Sequence, residues 1–245
     1  MEVKDSYSEI FKDIIKVLVV LAHPDDAEVV CGGLIARLSK DGKQVRLVVT
    51  TNGGKGMQDK QGYTESEFGD SRTKEQIKAA TVLGIKPEDN FNLNFPDGEF
   101  DDDLEHIEKI VWHVREFKPD LVITHNASED IINFNNTSYW VNHRDHRKTG
   151  MAVLDACYPY SRDRGFFPVH FDNNLTPHTV TKLLIADNYL HPEVRYFDIT
   201  ETAETKKEAL RNHPSAFGPN AADDYLEENL MGDKYFEPLR FVEIY

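Results

Sequence analysis

The sequence predicts an α/β fold, a Rossmann-like, doubly wound and mostly parallel sheet with a C-terminal pocket-forming extension. Three observations predict it. Short apolar runs of strand length alternate with stretches of helical periodicity over the first 125 residues. Glycine or proline punctuates most of the junctions. Two His/Asp clusters fall where strands give way to polar residues, the edge at which open α/β sheets hold ligands.

Each element follows from its local pattern. Residues 16–22 form a continuous apolar run, as a strand buried on both faces requires. Cys31, Leu34, Ile35 and Leu38 keep the i, i+3, i+4, i+7 spacing of an amphipathic helix, which Gly42 stops. Residues 44–50 are β-rich, with Val45, Leu47 and Val49 on alternate positions. Residues 51–70 read as a long polar loop, a length that usually serves a site. Ser71 is placed to cap a helix that reaches Leu83 before Gly84. A strand over 91–95 ends at Pro96-Asp97-Gly98, and Leu104, Ile107, Val111 and Val114 mark a helix that Pro119 closes. Residues 121–124 form the next strand, and a helix begins near His143. Beyond it, residues 158–181 read as an ordered loop region, 182–186 and 195–199 as strands, and 201–211 as a helix. The whole of 1–245 reads as one domain, with 1–157 as its core and 158–245 as the extension.

Composition narrows the partners. The 245 residues carry 43 acidic and 28 basic side chains, a formal charge of −15. That balance argues against nucleic-acid and anionic-membrane partners, which recruit Lys and Arg. With 40% hydrophobic residues the chain can bury a core. Its longest apolar run, 17–22, is far short of the roughly 20 residues that span a bilayer. The acidic N-terminal stretch does not resemble a signal peptide, and two cysteines cannot build a disulfide framework. A cytoplasmic protein is expected, with self-association into a homo-oligomer left open.

The chemistry concentrates in His23-Pro24-Asp25-Asp26 and His143-Arg144-Asp145-His146. A hydrolytic metal site takes about three His or carboxylate ligands and keeps a position for water. A spare carboxylate then serves as base, and a spare histidine as acid or oxyanion donor. Either cluster alone reads as a helix N-cap or a solvated helix start; two of them at strand ends of one sheet point to a site.

These residues resemble the LmbE-like/PIG-L deacetylases, zinc-dependent enzymes that act mostly on N-acetylglucosamine-type compounds. The resemblance runs through 22–28, Cys31-Gly32-Gly33, 51–56, Arg72 with Glu75, 95–98, 118–120, 143–146 and 206–215. It implies that His23, Asp26 and His146 bind the metal and that Asp25 is the general base. It further implies that His143 is the acid or electrophile, Asp145 its orienting partner, and Arg72 and Asp97 substrate-holding groups. The implied cofactor is Zn2+, though Fe2+ or another divalent metal suits the same ligands. The implied partner is a small N-acetylated amino-sugar substrate. Ala27 separates Asp26 from Glu28 where many members carry Glu directly, and Val141 stands where some carry a tyrosine, with Tyr139 nearby.

Other residues receive plainer readings. His106 and His113 are expected at the surface, and Cys31 and Trp112 in the core. His125 reads as a loop hydrogen-bonder or a site residue, His213 as a pocket-wall or structural residue, and Trp140 as core or a sugar-stacking face. Arg72, Arg144 and Arg147 gather near the motifs, which leaves a small anionic aglycone open. A metal-dependent phosphoesterase and a non-catalytic carbohydrate- or nucleotide-binding module are the rival readings of the same clusters.

Overall fold

The computed structural model describes residues 3–58, 60–135 and 137–244. A short helix, α1 (Tyr7–Phe11), precedes the alternation β1 (Lys16–Leu21), α2 (Asp26–Lys40), β2 (Gln44–Thr51), α3 (Glu65–Val82), β3 (Asn90–Phe95), α4 (Leu104–Phe117) and β4 (Leu121–Thr124). A hairpin of β5 (Ile131–Asn135) and β6 (Ser138–Val141) then leads to α5 (Arg144–Asp155). The chain continues through β7 (Lys182–Ile185), β8 (Val194–Asp198), α6 (Ala203–Leu210), α7 (Ala221–Glu228), β9 (Leu230–Met231) and β10 (Lys234–Glu243).

The central sheet runs β3-β2-β1-β4-β7-β10-β8. Its first five strands are parallel, and β10 inserts antiparallel between β7 and β8. Val17 pairs with Val45 on one side and Leu121 on the other, so β1 is an interior strand of the sheet, buried from Val17 to Leu21. Chain order reverses between β1 and β4. The crevice outside their carboxyl ends is where such sheets hold ligands.

Alternation along the strands divides the core into two layers. Val17, Val19 and Leu21 face α1, α2, α3 and α6; Leu18 and Val20 face α4 and α5. Helices on both faces make the sheet doubly wound, as expected.

Helix α2 is two segments joined at Cys31, whose φ of −149° is not helical. The break strands backbone groups in the interior, and two distant residues satisfy them. Glu237 of β10 accepts from the amides of Gly33 (2.9 Å) and Leu34 (2.7 Å). Lys206 of α6 donates to the Val29 carbonyl (2.9 Å) and to Glu237 (2.7 Å), and both side chains are fully buried. Gly33 fits because a Cβ there would lie 2.6 Å from an Ile199 methyl.

Several expectations need correction. Helix α3 starts at Glu65 rather than near Ser71, because Thr64 and Glu67 form a reciprocal capping box. The long loop is thereby shortened. The β5–β6 hairpin, α7 and β10 carry no clear local signature and were not expected. His113 is buried against Phe91, and His106 packs between Phe95 and Phe100, so neither is a surface residue of the charged face. Trp112, expected in the core, is 38% exposed. Cys31 is fully buried, as its position on the apolar face implied.

Candidate active site

At the carboxyl end of β1 the chain turns sharply through Pro24 into α2. Asp25 caps that helix at φ 132°, a region that residues with a Cβ rarely adopt. Arg72 of α3 braces the turn. Its guanidinium donates to the Pro24 carbonyl (2.8 Å), the Asp25 carboxylate (2.7 Å) and the Gly53 carbonyl (2.9 Å). Gly53, at φ +62°, allows this approach, since a Cβ there would sit 2.6 Å from the guanidinium. Burial pushes the Asp25 carboxyl up to about 6 against the pull of Arg72.

Beside it, three donors converge. His23 Nδ1 lies 3.2 Å from His146 Nε2 and 3.4 Å from an Asp26 oxygen; His146 Nε2 lies 3.3 Å from the other Asp26 oxygen. A tetrahedral zinc with ligand distances of about 2.0–2.2 Å needs donors about 3.3–3.6 Å apart. The separations of 3.2–3.4 Å lie near that range, the two to Asp26 running to its different oxygens, so these residues fit a small divalent metal. Burial opposes the charge on Asp26, but His146, His125 and His23 hold its carboxyl well below the usual range. A second triplet, His125, His146 and Asp187, shares His146 with the first.

Carboxylates behind the triangle fix its orientation. His23 turns its other nitrogen, Nε2, toward Asp97 Oδ1 and Asp145 Oδ2, each at 3.4 Å. A carboxylate behind a ligating imidazole sets its tautomer and raises its basicity. Burial disfavours the charged Asp97, but the His23 ring overrides it and holds the carboxyl at about 2. Asp145 also accepts from the Gly98 amide (2.6 Å), tying α5 to the turn that carries Asp97.

His143 stands at the N-cap of α5, exposed to the crevice, with its ring 4.7 Å from that of His23. Its Nδ1 accepts from the Asp145 backbone N–H at 3.1 Å. In the neutral ring Nε2 therefore carries the proton. Burial, reinforced by nearby His23, lowers the His143 pKa and favours that neutral ring. The two functions of Asp145 are thus divided: its backbone N–H orients His143, while its carboxylate faces His23.

The expected residues from both clusters meet at one crevice. Arg72 grips the β1–α2 turn itself, and Asp97 lies against His23. His125 lies directly under the triangle, stacked on His146 at 3.9 Å and 3.1 Å from Asp26. His213 is fully buried against Glu28 at 3.2 Å, so this pair sits inside the fold under the helix start. Tyr139 lies on the hairpin, 58% exposed.

A cavity of about 340 Å3 opens from Asp25, Asp26 and His146. Its far wall holds Trp140, Asp187, Tyr189, Phe217, Tyr225 and Glu228. Of these, only Trp140 attracted notice in the sequence. The others come from the extension, where no motif marks them and only folding brings them to the crevice.

A family model described as GlcNAc-PI de-N-acetylase, PIG-L, matches residues 18–157, more than half of the chain. The chain belongs to the PIG-L family. Among curated relatives of this PIG-L protein is a diacetylchitobiose deacetylase from Thermococcus kodakarensis, 27% identical over 96% of this chain and 86% of the relative. A probable N-acetyl-α-D-glucosaminyl L-malate deacetylase 2 from Bacillus anthracis is 28% identical over 84% of both. The structure of N,N′-diacetylchitobiose deacetylase from Pyrococcus horikoshii, solved with an inhibitor, superposes with a TM-score of 0.82 at 26% identity, over 95% of this chain and 85% of that one. Both families of elements, the parallel core and its C-terminal completion, are therefore shared along nearly the whole chain.

Proposed function

We propose that this PIG-L protein is a metal-dependent hydrolase that removes the acetyl group from an N-acetylglucosamine-type sugar or conjugate. The observation that carries the reading is the donor triangle of His23, Asp26 and His146, with Asp25 on the wall of the same cavity. A divalent ion held by those three donors, Zn2+ by their chemistry, supplies Lewis-acid polarisation and acidifies water. The relatives named for diacetylchitobiose and for the malate conjugate support an N-acetylated amino sugar as the substrate.

The side chains have complementary parts in such a reaction. Asp25, raised to about 6, is suited to accept a proton from the attacking water near neutral pH. His143 Nε2–H donates to the oxygen that becomes negative as the carbonyl turns tetrahedral, and the proton that Asp25 took from water passes to the departing amine as the C–N bond breaks. Asp97 and Asp145 hold the His23 ring, and Arg72 holds Asp25 in its strained turn. The roles of Arg72 and Asp97 in this scheme are positional, with any contact to substrate added to that.

The test is acetate release from a panel of N-acetylated sugars, with and without chelator. The metal-loaded protein is expected to release acetate, lose that activity to chelator and regain it with Zn2+. Asp25→Asn is expected to lower kcat by about 10²-fold or more while still retaining the metal. Activity untouched by chelator would sink the metal-dependent reading, and two tightly held ions per chain would favour a phosphoesterase.

A further inference from the structure

Both a neutral disaccharide and an anionic malate conjugate occur among the substrates for which the relatives are named. The cavity of this chain distinguishes them. Resting on the deacetylase reading above, we infer that it is built for an N-acetylated sugar whose attached group is a neutral or cationic sugar ring, and that it disfavours anionic conjugates.

Two features carry this. The first is the aromatic wall. Trp140 projects from the β5–β6 hairpin, 40% exposed at the cavity rim. It meets Tyr189 edge-to-face at 5.8 Å, while Phe217 meets Tyr225 at 5.2 Å within the same lining. Such surfaces offer flat apolar faces to the C–H side of a pyranose ring, with the Tyr225 phenol near its hydroxyls while the Tyr189 hydroxyl donates to Asp187.

The second feature is charge. Asp187 and Glu228 line the cavity beyond the metal-site carboxylates, and none of its described lining residues is a lysine or arginine. The arginines near the motifs are committed elsewhere. Arg72 is on Pro24, Gly53 and Asp25; Arg144 is on Gly98, Phe100 and Asp101; Arg147 is on Asn142 and Asp130. A bound divalent ion would compensate Asp26, and Asp187 is held by His125 (3.4 Å) and by the Tyr189 hydroxyl (3.3 Å), whereas the exposed Glu228 remains to face whatever the sugar carries. A malate or phosphate group entering that wall meets like charge with no cation to pair it, and an amine there meets attraction.

The measurement is kcat/KM for acetate release by the Zn2+-loaded protein on four conjugates of N-acetylglucosamine. These are the β-1,4-linked disaccharide, the same disaccharide with a free amine on the second ring, the malate conjugate and the methyl glycoside. Both disaccharides are expected to exceed the malate conjugate by about tenfold or more, the factor ordinary like-charge exclusion produces. Glu228→Lys is expected to shift the ratio of malate conjugate to amino disaccharide upward by about tenfold. Trp140→Ala is expected to lower the disaccharides more than the methyl glycoside. Equilibrium binding of the same four compounds to Asp25→Asn, measured by calorimetry, reads the preference without turnover. Tighter binding of the malate conjugate, or a ratio unmoved by Glu228→Lys, overturns the charge assignment. Absence of acetate from all four compounds overturns the deacetylase reading instead, and the binding data then still decide the subsite.

Discussion

Asp25 and Asp26 are neighbours in sequence with opposite electrostatic fates. Histidines surround Asp26 and keep it ionised, while burial lifts Asp25 toward neutrality. The His-Pro-Asp-Asp motif was legible, yet nothing local separates the two carboxylates; the separation comes from His125 and His146, brought to Asp26 from other elements, and from a burial of Asp25 that outweighs the pull of Arg72. His113 shows the same principle away from the site. Burial, aided by Arg46, lowers its pKa from 6.5 to about 4. The folded protein therefore holds His113 neutral where the unfolded chain already binds a proton. Its stabilising contribution is complete above pH 6.5 and is lost as pH falls toward 4, by at most about 3 kcal/mol. Thermal unfolding across that window should show a shallower acid loss in His113→Phe than in the parent, and equal slopes would refute the assignment.

At the scale of elements, α2 shows why helical periodicity is only a partial guide. Its apolar spacing was readable, but the break at Cys31 was not, because Lys206 and Glu237 supply the groups that stabilise it. Gly32 and Gly33 loosen α2 at this point, but nothing in the sequence shows that distant side chains hold the break open. Removing one member of a buried ion pair leaves the other uncompensated, at a cost of about 3–5 kcal/mol. Lys206→Met should reduce unfolding free energy by that amount in denaturant titrations, and a loss under about 1 kcal/mol would contradict it. The start of α3 makes a milder point. Thr64 and Glu67 form a capping signal that the long polar stretch concealed, since its downstream residues are charged rather than apolar. The β5–β6 hairpin was hidden for another reason. Its residues are largely exposed, so no alternation of buried and polar positions marks them.

At the scale of the molecule, the donors of the proposed metal site lie about 120 positions apart and meet only when β1 and α5 pack on the same sheet edge. An ion that binds this arrangement and not the unfolded chain stabilises the fold by mass action, about 4 kcal/mol at a thousandfold excess over Kd. Zn2+ should therefore raise Tm in the parent and leave it unchanged in His146→Ala; a parent Tm indifferent to Zn2+ would count against the triangle as a metal site. The sheet itself is closed by the C-terminal residues, since β7, β10 and β8 supply its far side while Phe217, Tyr225 and Glu228 line the cavity. The extension is thus part of the core as well as the pocket wall.

The sequence by itself determined the parallel β1–β4 core, the helices that cover it and the two clusters at its carboxyl edge. Those features depend on residues close together in the chain, where apolar periodicity and adjacent donors act directly. The tertiary structure alone decided which aspartate faces the histidines, which carboxylates stand behind His23, and which side chains wall the cavity. Each of these depends on contacts between residues far apart in the chain, and only the packing of the sheet determines which of them meet.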